Sequence, residues 1–206
     1  MPNRITAISP QKKNRHRYNI FINDAYGFSV SADLAGRLRT GTDLTDSQID
    51  AIQAADRDGQ AFALALQYLG YRPRSRTEVI DYLEKKEFQT TSVESAVSRL
   101  ESYDYIDDES FARFWIESRE RHRPRGQFAL RYELRSKGIA DSIIDRLLAD
   151  QDEHESAWRA VSKKCIAWKT LGEVELKKRI HALLRRRGFT FATCEDIVRR
   201  ALEEDE

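Results

Sequence analysis

Val79-Ile80-Asp81-Tyr82-Leu83-Glu84-Lys85-Lys86-Glu87-Phe88, Leu130-Arg131-Tyr132-Glu133-Leu134-Arg135-Ser136-Lys137-Gly138-Ile139 and Ile180-His181-Ala182-Leu183-Leu184-Arg185-Arg186-Arg187-Gly188-Phe189 are one pattern written three times. With Leu83, Leu134 and Leu184 in register, an apolar residue stands one turn earlier (Val79, Leu130, Ile180). A cation follows the leucine (Lys86, Lys137, Arg187), and then another apolar residue (Phe88, Ile139, Phe189). The register continues without a gap to Val93, Ile144 and Cys194, then to Val97, Leu148 and Val198. A fixed period means one supersecondary unit used repeatedly, and a chain of such units usually presents a binding surface. The helical spacing of the apolar columns makes the chain read as mostly α.

Working outward, each unit reads as three helices. In the first, Gln60–Leu69 is helical, Ser75-x-x-Glu78 caps the second helix and Thr91-x-x-Glu94 caps the third. In the second, Asp107 or Asp108 caps a helix carrying Phe111, Phe114 and Trp115, and Pro124 suits the opening turn of the next. The third starts near Asp152, with Trp158, Val161 and Trp168 on its first helix. Gly138 and Gly188 match a left-handed helix C-cap, whereas Glu87 holds that place in the first unit, so its turn must differ or be strained. The five aromatics Phe111, Phe114, Trp115, Trp158 and Trp168 read as core residues.

Before the repeats, residues 1–17 hold Arg4, Lys12, Lys13, Arg15 and Arg17 and no acid, and read as a flexible basic arm. Ile20 and Ile22, then Phe28 and Val30, alternate on either side of Asn23-Asp24, which predicts a β-hairpin. A lone hairpin is marginal in water and is expected to dock on the following helix, over Asp46–Asp58. Ala32–Leu38 reads as a short helix, and Thr45-x-x-Gln48 is a capping box. The domain reading is therefore an arm (1–17), a hairpin-and-helix extension (18–58), and three repeats at 59–106, 107–150 and 151–206.

The 206 residues carry 35 basic and 34 acidic side chains, a formal net charge of +1, so whole-chain charge neither argues for nucleic acid nor excludes it. No apolar run approaches the roughly 18 residues needed to span a bilayer. Cys165 and Cys194 are too far apart for a CxxC motif and read as buried thiols in a reducing compartment. His16, His122, His154 and His181 are scattered, without metal-ligand spacing, and no phosphate loop or nucleophile elbow occurs. The one acidic run, Asp107-Asp108-Glu109, precedes a helix and reads as its cap. No enzyme and no cofactor is expected.

The basic clusters carry the functional expectation. Arg72, Arg74 and Arg76 precede the second helix of the first repeat, and Arg119, Arg121, Arg123 and Arg125 hold the equivalent place in the second. In the third, Lys177, Lys178 and Arg179 lie early on that helix and Arg185, Arg186 and Arg187 at its end. Cations in a last turn, such as Lys86, Lys137 and Arg187, favour the helix dipole without any ligand. Cations before a helix oppose that dipole, so the two arginine-rich turns point to a partner. A helix N-terminus with guanidinium forks makes a workable phosphate site.

Tyr71-Arg72-Pro73-Arg74-Ser75-Arg76-Thr77-Glu78 with Leu83-x-x-Lys86-x-Phe88 resembles the opening signature of the RecX family of recombinase regulators. Tyr105-Ile106-Asp107-Asp108-Glu109-Ser110-Phe111-Ala112, Arg119–Gly126 and Leu134-x-x-Lys137-Gly138-Ile139 are similar to later family segments. Departures are Glu87 in place of Gly and a longer lead-in at Thr190–Thr193. The resemblance implies three tandem three-helix repeats in an elongated, curved array. It also implies a cytoplasmic, monomeric protein that binds the RecA filament on single-stranded DNA and restrains its ATPase, recombinase and co-protease activities. Double-stranded DNA is a further partner to consider. A stand-alone helix-turn-helix-like DNA-binding regulator and a protein-only adaptor are the alternatives, and no membrane partner is expected.

Overall fold

The computed structural model of the protein describes residues 2–203, apart from the side chain of Lys169. The chain forms two compact units, one of Met1–Arg72 with Val79–Tyr105, the other of Pro73–Glu78 with Ile106–Glu206.

The first unit opens with four strands, β1 (Asn3–Pro10), β2 (Arg17–Ile22), β3 (Ala25–Ser31) and β4 (Asp43–Leu44), in an antiparallel sheet of order β3-β2-β1-β4. The expected hairpin is β2–β3, and Asn23 and Asp24 both take positive φ (49° and 66°), as a two-residue type I′ turn requires. The arm reading of residues 1–17 is corrected, because Asn3–Pro10 is a sheet strand with Ile5 fully buried. The strand was hidden by a bulge. Ile5 pairs with Ile22 but Ala7 with Phe21, leaving Thr6 as the extra residue. Ile5 and Ile8, three apart, therefore reach the same core and break the period of two that betrays a strand.

A four-residue helix α1 (Ala32–Ala35) leads through β4 to α2 (Asp46–Leu69), a single helix of 24 residues. Its capping box forms as expected: the Gln48 N–H donates to Thr45 Oγ1 at 3.3 Å, and the Thr45 N–H to Gln48 Oε1 at 2.8 Å. No break falls at residues 58–59. Gly59 lies within α2 in open space, where a glycine costs about 1 kcal/mol relative to Ala but need not end a helix. The first half of α2 receives the sheet through Ile49 and Ile52, and its second half packs Ala61 and Ala65 beside α4 (Thr90–Ser102). Between the halves sits Asp56, only 4% exposed. Both Arg17 guanidinium nitrogens (3.2 and 2.9 Å), the Ser31 N–H (2.8 Å) and Gln60 Nε2 (2.7 Å) donate to its carboxylate. Docking of the hairpin on Asp46–Asp58 thus rests on an apolar patch and one satisfied buried carboxylate.

Helix α3 (Arg76–Glu84) is capped by Ser75, which accepts from the Glu78 N–H at 3.2 Å. Thr91, expected to cap α4, lies inside it; the N-cap is Gln89, whose side chain makes no cap bond. The second unit contains α5 (Asp108–His122), α6 (Gln127–Arg135), α7 (Asp141–Ala149), α8 (Glu153–Lys169), α9 (Glu173–Arg186) and α10 (Phe191–Glu203). Asp107 caps α5 and Asp152 caps α8. A hydrogen bond from the Ser110 hydroxyl, helped by the Glu109 N–H, holds the Asp107 carboxyl below its ordinary range. Pro124 lies two residues ahead of the α6 N-cap, Gly126, and not within the opening turn.

The apolar columns are the cores. Phe111, Leu130, Leu134, Ile144 and Leu148 pack together in α5–α7, and Ile180, Leu184, Cys194, Ile197 and Val198 in α8–α10. In the columns only Phe88 stays half-buried. Phe114 is 38% exposed, which corrects its assignment to the core, while Trp115, Trp158 and Trp168 are half-buried against the cores. The three middle helices α3, α6 and α9 end in the same turn. The N–H groups of Phe88, Ile139 and Phe189 donate to the carbonyls of Leu83, Leu134 and Leu184 at 3.3, 3.1 and 3.2 Å. The residue between takes φ of 64° (Glu87), 78° (Gly138) and 82° (Gly188). Glu87 therefore adopts the glycine conformation at a steric cost.

Two outcomes follow from this architecture. Glu87→Gly relieves the left-handed strain at an exposed position and is expected to raise the unfolding free energy by about 1 kcal/mol in urea titration. Asp56→Ala strands Arg17 and the Ser31 N–H, and is expected to cost about 3 kcal/mol in the same measurement.

Candidate functional site

The middle helices do more than fill the cores, since their ends meet other helices at equivalent positions. At the start of α3 the Arg76 N–H donates to Asp108 Oδ1 at 2.8 Å, and at the start of α6 the Gln127 N–H donates to Glu153 Oε1 at 3.0 Å. Asp108 and Glu153 are the first residues of α5 and α8, so each following helix lends a carboxylate to a middle-helix N-terminus. A phosphate arriving at these two N–H groups would have to displace a carboxylate already in place.

The C-terminal turns complete the joints. A Cβ on Gly138 would lie 1.9 Å from Thr77 Oγ1, and one on Gly188 would lie 2.4 Å from Ala129 Cβ. The Gly126 N–H donates to the Arg187 carbonyl at 3.0 Å, and a Cβ on Gly126 would lie 2.2 Å from the Gly188 oxygen. Backbone meets backbone here, with no room for a side chain.

Charge separates the two joints. At the first, Lys137 Nζ stands 2.5 Å from Glu78 Oε1 and 5.3 Å from the Trp115 ring centroid. At the second, Arg187 occupies the position of Lys137, but Ala129 stands where the first joint has Glu78. Among the described residues Arg187 Nη1 reaches only the Pro124 carbonyl, at 3.5 Å, and its buried Nε has no hydrogen-bond partner. Burial, reinforced by the charges of Arg123, Arg125 and Arg186, pulls the Arg187 pKa down from its usual value. An arginine stays protonated at neutral pH even so. Four guanidinium groups thus share one neighbourhood, and the only ion pair among them within the described residues is Arg125 with Glu133, at 3.4 Å. The Arg125 Nε also lacks a hydrogen bond.

The remaining basic positions fare differently. Arg119 donates to Glu133 Oε2 at 2.7 Å and lies 4.4 Å from the Trp115 ring, while Trp115 Nε1 donates to the same oxygen at 2.8 Å. Arg119 is therefore a brace for α6. Arg121 pairs with Glu117 one turn earlier on an exposed face. Lys177 and Arg179 pair with Glu173 and Glu175 on α9, and Lys178 stands between them on the exposed surface. Arg185 is exposed at the end of α9. Arg72 belongs to the first unit, whereas Arg74 and Arg76 belong to the second. The structure gathers Arg123, Arg125, Arg186 and Arg187 and leaves Lys177–Arg179 substantially neutralised. Arg187 was read from sequence as ordinary helix-end chemistry. The signal that would have promoted it is the missing carboxylate at Ala129, visible only once the Glu78–Lys137 pair is known.

Among the described residues no cluster of His, Cys, Asp or Glu could hold a metal ion. Cys165 and Cys194 are buried and not joined in a disulfide, and burial pushes the Cys194 thiol up. No helix among the described residues is long and apolar enough to cross a membrane.

Comparison with known proteins agrees with this architecture. Residues 3–41 match the regulatory protein RecX N-terminal domain, residues 61–100 the first RecX three-helix domain and residues 107–148 the second. The regulatory protein RecX of Bacillus subtilis is 38% identical over 207 residues, covering 98% of this chain and 77% of the relative. The chain belongs to the RecX family of regulatory proteins. The regulatory protein RecX of Lactobacillus gasseri is 36% identical, with 98% of this chain and 76% of the relative covered. A crystal structure of regulatory protein RecX superposes with a TM-score of 0.74 at 28% identity, covering 99% of this chain and all of that one. RecX from Lactobacillus salivarius shares the fold, with a TM-score of 0.63 over 71% of this chain and 97% of that one, at 23% identity. In this family member the mostly α architecture and its small N-terminal sheet are therefore family features.

The backbone joint between α6 and α9 makes a prediction of opposite signs for one substitution type. Gly126→Ala is expected to destabilise by about 1–3 kcal/mol, because the Gly188 carbonyl must move. Gly59→Ala, in open space on α2, is expected to stabilise by about 1 kcal/mol. Chevron-free equilibrium unfolding by circular dichroism reads both.

Proposed function

We propose that this chain is a binding regulator that attaches to a RecA filament on single-stranded DNA and restrains its ATPase, strand exchange and co-protease activities. The observation that carries the reading is the unbalanced guanidinium group Arg123, Arg125, Arg186 and Arg187, set where the equivalent first joint is neutralised by Glu78. A cluster kept cationic at a cost in self-repulsion is suited to a polyanion, and guanidinium groups bind phosphate oxygens in a fork. Membership of the RecX family supports the regulatory part, and the family resemblance suggests RecA as the protein partner. A binder of this kind needs no catalytic residue; it acts by favouring one filament conformation or blocking subunit exchange. Action in the cytoplasm, where RecA filaments form on damaged or replicating DNA, goes with this reading.

Co-sedimentation with RecA on single-stranded DNA, with RecA-free DNA as control, is the direct test. Arg123 and Arg186 are exposed, so Arg123→Gln with Arg186→Gln should leave the fold unchanged. The double variant is expected to lower the salt slope of DNA binding by about 1 per lost phosphate contact and to weaken inhibition of the RecA ATPase. Full inhibition by the double variant would remove the cluster from the mechanism. Sequence-preferring binding to duplex without RecA would instead favour a stand-alone helix-turn-helix-like regulator.

A further inference from the structure

Where α6 meets the turn after α9, an open cavity of about 400 Å³ is lined by Phe128, Arg185, Gly188, Phe189, Thr190 and Phe191. Phe189 belongs to the core, but Phe128 and Phe191 are 77% and 66% exposed. Isolated exposed phenylalanines are ordinary on protein surfaces; two rings and a guanidinium lining one cavity are a different arrangement. Phe128 stands off the face of α6 that buries Leu130 and Leu134, so core packing does not account for it. Phe191 opens α10 and lies beside the His181 imidazole, with ring centroids 5.5 Å apart and planes 34° from parallel. Arg185 has no ion pair among the described residues. The cavity is large enough for one flat ring.

The charge beside the cavity selects its occupant. Arg123 and Arg125 lie just ahead of Phe128 in the chain, and Arg187 adjoins Gly188, which lines the cavity. An apolar peptide side chain would fill the cavity and leave these cations unbalanced. A duplex would balance them but keeps its bases stacked inside, out of reach of an aromatic wall. An unpaired strand offers both a ring face and a neighbouring phosphate. We propose that the Phe128–Arg185–Phe191 cavity takes one unstacked base of single-stranded DNA, while Arg123, Arg125 and Arg187 hold adjacent phosphates. This deepens the nucleic-acid half of the proposed function and is independent of its RecA half. Every base has a π-face, so the cavity accepts any of the four.

The test is fluorescence anisotropy with a labelled oligothymidylate and an abasic strand of equal length, without RecA. The wild-type protein is expected to bind the oligothymidylate more tightly. Phe128→Ala and Phe191→Ala should each weaken oligothymidylate binding by about 5- to 100-fold and leave abasic binding and the salt slope unchanged. Phe128→Trp should restore affinity. Equal wild-type affinity for both strands, equal losses on both strands, or no binding to either overturns the proposal. So does a Phe128→Ala variant that keeps full oligothymidylate affinity but no longer reaches the RecA filament, which would make the cavity a protein-docking site. Because RecA is absent from the titration, failure here leaves the filament reading to stand or fall on co-sedimentation.

Discussion

A middle helix that ends in a left-handed residue commits both its own repeat and the segment against it. The turn redirects the chain so that the apolar residue after it, Ile139 or Phe189, returns to the core. It also presents bare backbone, onto which Thr77 closes at Gly138 and Gly126 and Ala129 close at Gly188. Close approach and positive φ make separate demands for glycine, and at these two positions they coincide. Glu87 meets only the conformational demand, and the chain tolerates it there because the residue is exposed. Carboxylates at the opposite ends of the middle helices, Asp108 and Glu153, tie the joints at a second point.

On this shared geometry the side chains diverge. The Glu78–Lys137 pair and the Glu133 carboxylate, with Trp115 and Arg119 around it, show how the fold neutralises cations when it uses them structurally. Arg187 breaks that practice. Its charge is opposed by none of the described side chains and is crowded by three others of the same sign. Such a group weakens the isolated protein slightly and gains from an anionic partner, which is the physical signature of a binding site. The exposed rings of Phe128 and Phe191 at the same joint extend that signature from charge to shape.

Much of the fold was legible because it is written in periods. Leu83, Leu134 and Leu184 and their columns named the cores, and Asn23-Asp24 named the hairpin turn. Strand β1 was not legible, since the bulge at Thr6 removes the alternation on which strand reading relies. The boundary expected between residues 58 and 59 falls inside α2, because packing on both halves outweighs the propensity cost of Gly59. Thr91 lost the cap of α4 to Gln89 by an early start of the helix. For the site, the arginine-rich turns were visible as composition, but composition does not say which charges are answered. Arg119 looked like Arg123, and only one of them is held against a carboxylate.

By itself, then, the sequence determined a helical repeat with two glycine turns, a hairpin and an excess of arginine ahead of α6, because local spacing and local backbone preference are properties of neighbouring residues. The tertiary structure decided which cations remain available. Glu78 reaches Lys137 across 59 positions and Pro124 meets Arg187 across 63, and pairings of that kind depend on how helices stack. Neutralisation is a long-range fact, and the candidate site is what it leaves over.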